Sequence, residues 1–321
     1  MKHVRLYDVR GIYAVIAALL IGLFAPIPVY ALHPLITDDA VMQGKGVFEL
    51  ELNYQFSHDR YSEIAREPKE VTESGLEGQS VFGKRHVREN VHQAGVGLAY
   101  GVIDAVDIAF AVPFQSVYYR NRHFYYTGPL QGLYMKQTEM ENGLGDISAE
   151  VKWKIFEYKA LSLALKPGII IPTGNCSKGL GAGKFGAYGY FITTLDLKMV
   201  LLHLNIGYIR NQNRINERED IWHASLAGEF WVVKDRFRLV ANIGLDRNKD
   251  KRSRIHDAYL LGGGILTVSD SCDLDLGFKY SIQSKQWESP GPDYSILAGA
   301  TIWFGYVPKS GAEVNVKEGE K

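Results

Sequence analysis

The chain of 321 residues carries 36 Lys and Arg against 36 Asp and Glu, with 46% apolar residues and 19 tyrosines. Near-zero net charge with interleaved signs gives no basis for nucleic-acid binding and leaves a charged tail only at the C-terminus. Beyond the N-terminus no apolar run is long enough for a helix that crosses a membrane.

Residues 1–31 read as a secretory signal peptide. Lys2, Arg5 and Arg10 precede the apolar stretch Ile12 to Ala25, and Pro26 and Pro28 lead to a small residue, Ala31, where cleavage is expected. A spanning helix needs about 20 apolar residues, and the two prolines interrupt this one. Residues 32–45 are expected to form a periplasmic lead-in. Their His33, Asp38 and Asp39 could otherwise hold a cation, or the segment could enter a barrel as a partial plug.

From Gly46 the sequence GVFELELNYQF alternates strictly, with Phe48, Leu50, Leu52, Tyr54 and Phe56 on one face and Glu49, Glu51, Asn53 and Gln55 on the other. The same period of two recurs in chain order. It runs through Val106 to Phe114, Ile147 to Ile155, Leu161 to Leu165, Leu202 to Tyr208, Trp222 to Val232, Phe237 to Leu245, Leu274 to Ile282 and Ile296 to Phe304, with weaker runs near 90–100, 185–198 and 258–268. A period of two means strands. Most runs are longer than the usual globular strand of about five or six residues and match the 9 to 11 of a tilted strand crossing a bilayer.

The connections alternate in length. Long ones are expected at 57–85, 121–144, 173–184, 211–220, 247–257 and 284–293, and short ones at 101–104, 156–159, near Met199, at 234–236 and at 269–271. Short periplasmic turns alternating with long extracellular loops are the pattern of an outer-membrane barrel. The reading is therefore all-β: a transmembrane up-and-down antiparallel β-barrel of about 12 strands over residues 46–306, followed by a hydrophilic tail, 307–321. A secreted β-sandwich or periplasmic jelly roll also alternates, but it explains neither the strand lengths nor the loop pattern. Cys176 in a long loop and Cys272 in a short turn would stand at opposite mouths, too far apart for a disulfide.

The apolar face then meets lipid and the polar face lines a lumen. Pore-lining candidates are Glu49, Glu51, Asn53, Glu150, Lys152, Lys154, Lys166, Asp196, Lys198, Arg238, Asp275 and Lys279, with Asp107, His203, Asn205, Asn242 and Asp273 on the same face. Rings of such charges set selectivity in an open pore, or pair with one another and fill a narrow one.

Specific words also suggest a family. HPLITDDAVMQGKGVFELELNYQFS (33–57), GVGLAYGVIDAVDIAFAVPF (95–114), GLGDISAEVKWKIFE (143–157), LALKPGIIIPTGN (163–175) and KGLGAGKFGAYGYFITT (178–194) together resemble the outer-membrane barrels of the "MetA-pathway of phenol degradation" family. The resemblance implies a passive outer-membrane transporter for aromatic or other hydrophobic compounds, with no cofactor and no catalytic set. The chain departs from the pattern of barrels ending in an aromatic by its tail after Phe304, from Val307 to Lys321.

Three further motifs have plain readings. The glycines from Gly179 to Gly183 before Lys184 imitate a phosphate loop, but no Ser or Thr follows the Lys and a strand rather than a helix comes next. They are read as an extracellular loop, and Gly262 to Gly264 as a bulge or bend. His223 and Ser225, two apart on one face, could pair as base and nucleophile, the arrangement of twelve-stranded outer-membrane phospholipases. Trp222, Ala224 and Leu226 claim the lipid face, so His223 and Ser225 are placed inward as a hydrogen-bonding lumen pair, and the protein is not expected to be an enzyme. Outer-membrane lipid and a small solute are the expected partners, and a structural or adhesion role is the remaining alternative to transport. Nothing in the residues speaks to oligomeric state.

Overall fold

The structure is a computed structural model in which residues 36–67, 81–126, 132–247, 249, 256–282 and 292–305 are described. The expected signal peptide, His33 and the C-terminal tail lie outside the described residues.

Period-two alternation resolves into strands β1 (Val47–Glu67), β2 (Val81–Ile103), β3 (Val106–Tyr125), β4 (Tyr134–Leu144), β5 (Ile147–Tyr158), β6 (Leu161–Ile171) and β7 (Gly186–Asp196). They continue as β8 (Val200–Arg210), β9 (Asp220–Val233), β10 (Phe237–Arg247), β11 (His256–Ser269), β12 (Cys272–Ser281) and β13 (Tyr294–Gly305). Neighbours pair antiparallel, and β1 bonds to both β2 and β13, so the sheet closes on itself. Closure leaves no unpaired backbone edge in the hydrocarbon, where each such group would cost several kcal/mol.

β4 and β5 share one place in the wall, which makes twelve wall positions. β4 pairs with the outer half of β3, Phe114 to Phe124, and β5 with its inner half, Val106 to Ala111. The break falls at Gly145–Asp146 opposite Pro113, a residue with no N–H to give; its carbonyl accepts from the Gly145 N–H at 2.8 Å. Three residues there oppose two on β3, so the interruption is a bulge.

The short connections fall where expected, and all five lie at one end of the barrel. Two of the long ones are corrected. Most of 57–85 and 121–144 is strand: β1 and β2 stay paired from Phe48–Tyr100 to Glu67–Val81, and β3 and β4 form a hairpin out to Phe124–Tyr134. Beyond the membrane both faces of a ladder meet water, so no apolar alternation is needed to hold it and the period is lost from the sequence. Gly262 to Gly264 stay in continuous register with β10, and the irregularity of β11 lies instead between Thr267 and Ser269.

The 172–185 connection is ordered rather than loose. Asp146 accepts from the N–H groups of Gly174 at 2.9 Å and Ala182 at 2.7 Å, and Leu180 is buried against Gly143 and Gly145. Cys176 lies in its single 3-10 turn, Cys176–Lys178, while Cys272 opens β12 beside a short turn at the opposite mouth; both thiols are free.

Apolar side chains of the first face point outward around the whole barrel, among them Leu52, Leu98, Phe110, Trp153, Leu204, Leu226, Ile243 and Leu276. Aromatic contacts mark both rims: Phe48 with Tyr100 and Phe304 at 4.5 and 5.4 Å on the short-turn side, and Tyr208 with Trp222 at 4.8 Å on the other. Leu52 lies between Val96 and Ala300 and is 42% exposed. Leu52→Lys should cost about 2 to 4 kcal/mol if this position is near mid-membrane, whereas Asn53→Lys on the opposite face should be nearly neutral. Chemical unfolding in phospholipid vesicles measures both, and equal costs would mean the facing is wrong.

Candidate functional site

The interior is crossed by the segment before β1. Starting at Ile36 it passes from the β9–β10 wall to the β1–β3 wall and leaves at the short-turn mouth. Thr37 donates its hydroxyl to Ser225 at 2.9 Å, and the Asp38 backbone exchanges two hydrogen bonds with the Asn205 side chain at 2.8 and 2.7 Å. The Ala40 N–H reaches Thr194 at 2.8 Å, the Gln43 N–H reaches Asp107 at 3.0 Å, and the Lys45 N–H reaches Asp104 at 3.1 Å. Apolar contacts reinforce the path, with Ile36 against Tyr259, Leu261 and Leu297, and Ala40 and Met42 against Ala164 and Ile192. The described part of the 32–45 segment, residues 36–45, lies in the lumen instead of running free as the expected periplasmic lead-in. The reason is that the lumen wall offers buried side-chain acceptors for backbone groups that a free segment would give to water.

Charge fixes the segment in place. The Lys152 ammonium lies 3.0 Å from Asp38 and 3.1 Å from Asp39, and the Lys166 ammonium lies 2.6 Å from Asp38 and 3.5 Å from Glu150. Tyr188 donates to Glu150 at 2.7 Å. A second buried cluster lies among β8, β9, β10 and β12: Arg238 bonds Glu229 at 2.8 Å and Asp273 at 2.7 Å and lies over the Trp231 ring, while His203 sits 3.3 Å from Glu229. Glu49 accepts from Gln43 at 2.6 Å and Trp303 at 2.8 Å.

Most sequence-predicted lining residues thus face inward, but several are tied up in ion pairs or rim contacts. Glu51, Asn53 and Asp275 lie over Gly97, Gly95 and Gly299 of adjacent strands, and Lys279 caps the Tyr259 ring at 4.0 Å. Lys154 pairs with Glu157 at 2.6 Å beside the β5–β6 turn. Asp196, the last residue of β7, and Lys198, in the β7–β8 turn, are both exposed at the short-turn mouth, where the Asp196 carboxylate accepts from the Lys198 N–H at 2.7 Å. The chain there leaves the sheet, and an acid two residues before a left-handed Lys198 (φ 71°) closes the turn.

Sequence reasoning missed Glu229, although its spacing from His223 and Ser225 places it on the inward face. It also missed three inward tyrosines. Tyr190 lies flat on Gly207 and Tyr259 on Gly244, where an added Cβ would come within 2.3 and 2.2 Å of the rings, and Tyr188 covers Gly168 in the same way. Pairing a ring with a glycine on the next strand is visible only once the register is known.

His223 and Ser225 point inward as expected, and the register adds the partner the sequence did not reveal. Asp246 sits opposite His223 on β10, with its carboxylate 2.6 Å from His223 Nδ1, while His223 Nε2 is 2.9 Å from Ser225 Oγ. The order acid, imidazole, hydroxyl is that of a nucleophilic triad. Ser225 is 3% exposed and its Oγ accepts from the Thr37 hydroxyl, so the N-terminal segment covers the hydroxyl end of the chain of bonds, while the Asp246 carboxylate at the other end is partly exposed.

Two spaces adjoin this filled interior. A recess of about 120 Å³ lies at the short-turn end between β1, β2, β3 and β5. On the lipid side, a groove of about 600 Å³ runs over β5 to β9 and is lined by Trp153, Leu165, Pro167, Gly189, Phe191, Ile206 and Trp222. Lys166 and Tyr190, whose side chains face the interior, also border it. The β5–β6 ladder pairs Glu150 with Gly168 and Trp153 with Leu165 and is interrupted between them, where Pro167 has no N–H to give.

Solved structures of the same kind are barrels of the outer membrane. The COG4313 outer membrane channel from Pseudomonas putida F1 is similar over 83% of this chain and 98% of its own, with a TM-score of 0.55 and 14% identity, a likeness of fold. A Pseudomonas aeruginosa FadL homologue (TM-score 0.41, 11% identity, 86% and 94% covered) and the Pseudomonas putida toluene transporter TodX (0.41, 9%, 88% and 99%) are more distant. No curated protein matches the sequence. Residues 79–287, well over half of the 321 and most of the barrel wall, match the family described as "Putative MetA-pathway of phenol degradation", and the chain belongs to that family.

Proposed function

We propose that the protein is a passive outer-membrane route for small hydrophobic compounds, aromatic ones included, and that it does no chemistry on them. The observation that carries this reading is the apolar groove that lies over an interrupted seam of the wall and is bordered by Lys166 and Tyr190. Its volume lies in the range of small-molecule sites. The N-terminal segment and its ion pairs obstruct a straight aqueous path, so hydrophilic flux is small. A hydrophobic solute needs no such path: it exchanges between interior and membrane beside Pro167 and Gly189. The family's description, which names phenol degradation, accords with an aromatic solute. Lys152, Lys166 and Glu150 then serve to close the lumen rather than to conduct.

The groove is tested by filling it. An added Cβ at Gly189, which lines the groove, meets nothing within 4 Å, so a side chain can start there and Gly189→Trp should place a ring in the groove. Cells expressing this variant should take up a radiolabelled monoaromatic hydrocarbon several-fold more slowly than cells expressing the wild type, with ion conductance in planar bilayers unchanged. Absence of any protein-dependent uptake by the wild type would overturn the proposal.

Closure is tested separately. Asp38→Asn leaves Lys152 and Lys166 short of a buried anion, a loss of about 3 to 5 kcal/mol for a buried pair. The segment should leave the lumen, raising single-channel conductance several-fold and exposing the chain near Met42 to protease. Conductance equal to wild type would show that this pair does not hold the segment.

A further inference from the structure

Toward the long-connection end, the outward face of β1 to β4 changes from apolar to cationic. The register sets Arg60 beside Arg88 and Arg88 beside Arg120, one row across three strands. Two residues further out Arg122 lies beside Lys136, and Lys84 follows on β2. These are even-numbered positions, which carry the outward face and continue Leu52, Leu98 and Phe110 below. Asp59 and Glu89 fall at odd positions, on the other face. Arg85 is on that face too, where it donates to Tyr119 at 2.8 Å and Asn121 at 3.2 Å. Among the described residues, no Asp or Glu stands on the outward face of β1 to β4.

Six cations with no anion among them are an unfavourable arrangement, because like charges directly opposite on neighbouring strands repel. Arg60, Arg88, Arg122, Lys84 and Lys136 are exposed, and Arg120 leans on the neutral Tyr118, 5.3 Å from its ring. Among the described residues, none of the six forms an ion pair. Height decides what can neutralise them. Phe48 marks the short-turn rim, and twelve residues separate it from Arg60. At about 3.3 Å per residue and a strand tilt of about 40°, that is roughly 30 Å along the membrane normal, against an apolar band about 25 Å tall. The Arg60 row therefore stands roughly 5 Å beyond the hydrocarbon, in the headgroup layer, and the next row about 5 Å higher, at its outer edge.

We propose that this face binds the phosphate groups of a multiply phosphorylated glycolipid in the outer leaflet. Guanidinium groups match phosphate oxygens with paired N–H donors, and Arg60, Arg88, Arg120 and Arg122 supply four of them. Neighbouring strands lie about 4.8 Å apart, so the arginine row is about 10 Å wide, enough to hold two phosphates of one headgroup. The cations lie on the side of the wall that lipid covers, directly above outward apolar residues, which favours an anion carried on acyl chains over a soluble one. The apolar groove lies over β5 to β9, so this proposal stands apart from the hydrophobic route.

The test titrates the full-length barrel in non-ionic detergent micelles with diphosphoryl lipid A and reads bound lipid by native mass spectrometry, with phosphatidylethanolamine as comparator. Saturable binding of diphosphoryl lipid A is expected, at least about tenfold tighter than phosphatidylethanolamine. Arg88→Gln, at the centre of the row, should weaken it about five- to tenfold, and adding Arg60→Gln and Arg120→Gln should bring it to the phosphatidylethanolamine level. Arg236→Gln, an equal loss of charge in the exposed short turn at the other mouth, should leave it unchanged. Inorganic phosphate should compete only at far higher concentration. Equal affinity for the two lipids, wild-type affinity in the triple variant, or a loss in Arg236→Gln as large as in Arg88→Gln would each overturn the proposal. Displacement by equimolar inorganic phosphate would mark a general anion site and overturn it as well. Heat-modifiable gel migration verifies that each variant is a folded barrel, and the wild-type comparison of lipids decides even if a variant does not fold.

Discussion

Lipid offers no hydrogen bonds, and that single constraint governs this molecule. A chain that crosses the bilayer as strands must pair every N–H and C=O with another strand, so the sheet closes through β1 with β13 and β2 with β3. Closure in turn directs alternate side chains into a narrow interior. Charges there are cut off from bulk water, and burying an unpaired one is far more expensive than pairing it. The interior is consequently organised as closed sets of opposite charge: Arg238 between Glu229 and Asp273, and Lys152 and Lys166 around Asp38.

The second of these sets is incomplete in the barrel wall. Within it β5 and β6 bring Lys152, Lys166 and Glu150 together, one anion for two cations, and Asp38 and Asp39 from the N-terminal segment supply the rest. The segment has a complementary need, since its own N–H groups, without a strand beside them, require acceptors. Asn205, Thr194 and Asp107 meet that need from three different strands. Wall and segment each supply what the other lacks, so docking follows from the same bookkeeping that closes the sheet.

This also explains what could be read from the sequence and what could not. The outward face was legible because lipid imposes one rule on every strand: Leu52, Leu204 and Leu276 are apolar for the same reason and recur at the same period. The inward face obeys no such rule. Whether Glu150 meets a solute or a lysine depends on which residue of β6 lies beside it, and register is a property of pairs of strands. Asp246 was therefore invisible as the partner of His223 even though both residues were plainly inward. Asp196 and Lys198 end up exposed at the mouth for a related reason, because the period says nothing about where a strand stops and a turn begins. Outside the membrane the rule lapses altogether, which is why the β1–β2 and β3–β4 hairpins looked like loops.

The two halves of the proposed mechanism meet at consecutive residues of β6. Lys166 faces inward and holds Asp38, while Pro167 faces lipid and interrupts the ladder to β5. On either side of that seam Glu150 and Lys152 of β5 also bind the segment's network, one through Lys166 and the other directly to Asp38 and Asp39. Where the backbone bonds are missing, side-chain ion pairs through the segment brace β5 against β6 from within. Ionic bonds can tolerate small shifts in separation that a ladder of N–H to carbonyl bonds cannot, because Coulomb attraction falls only slowly with distance whereas a hydrogen bond weakens steeply when misaligned. A seam held in this way can widen and close around a solute without unpairing the rest of the sheet, which is the property a route through the wall requires.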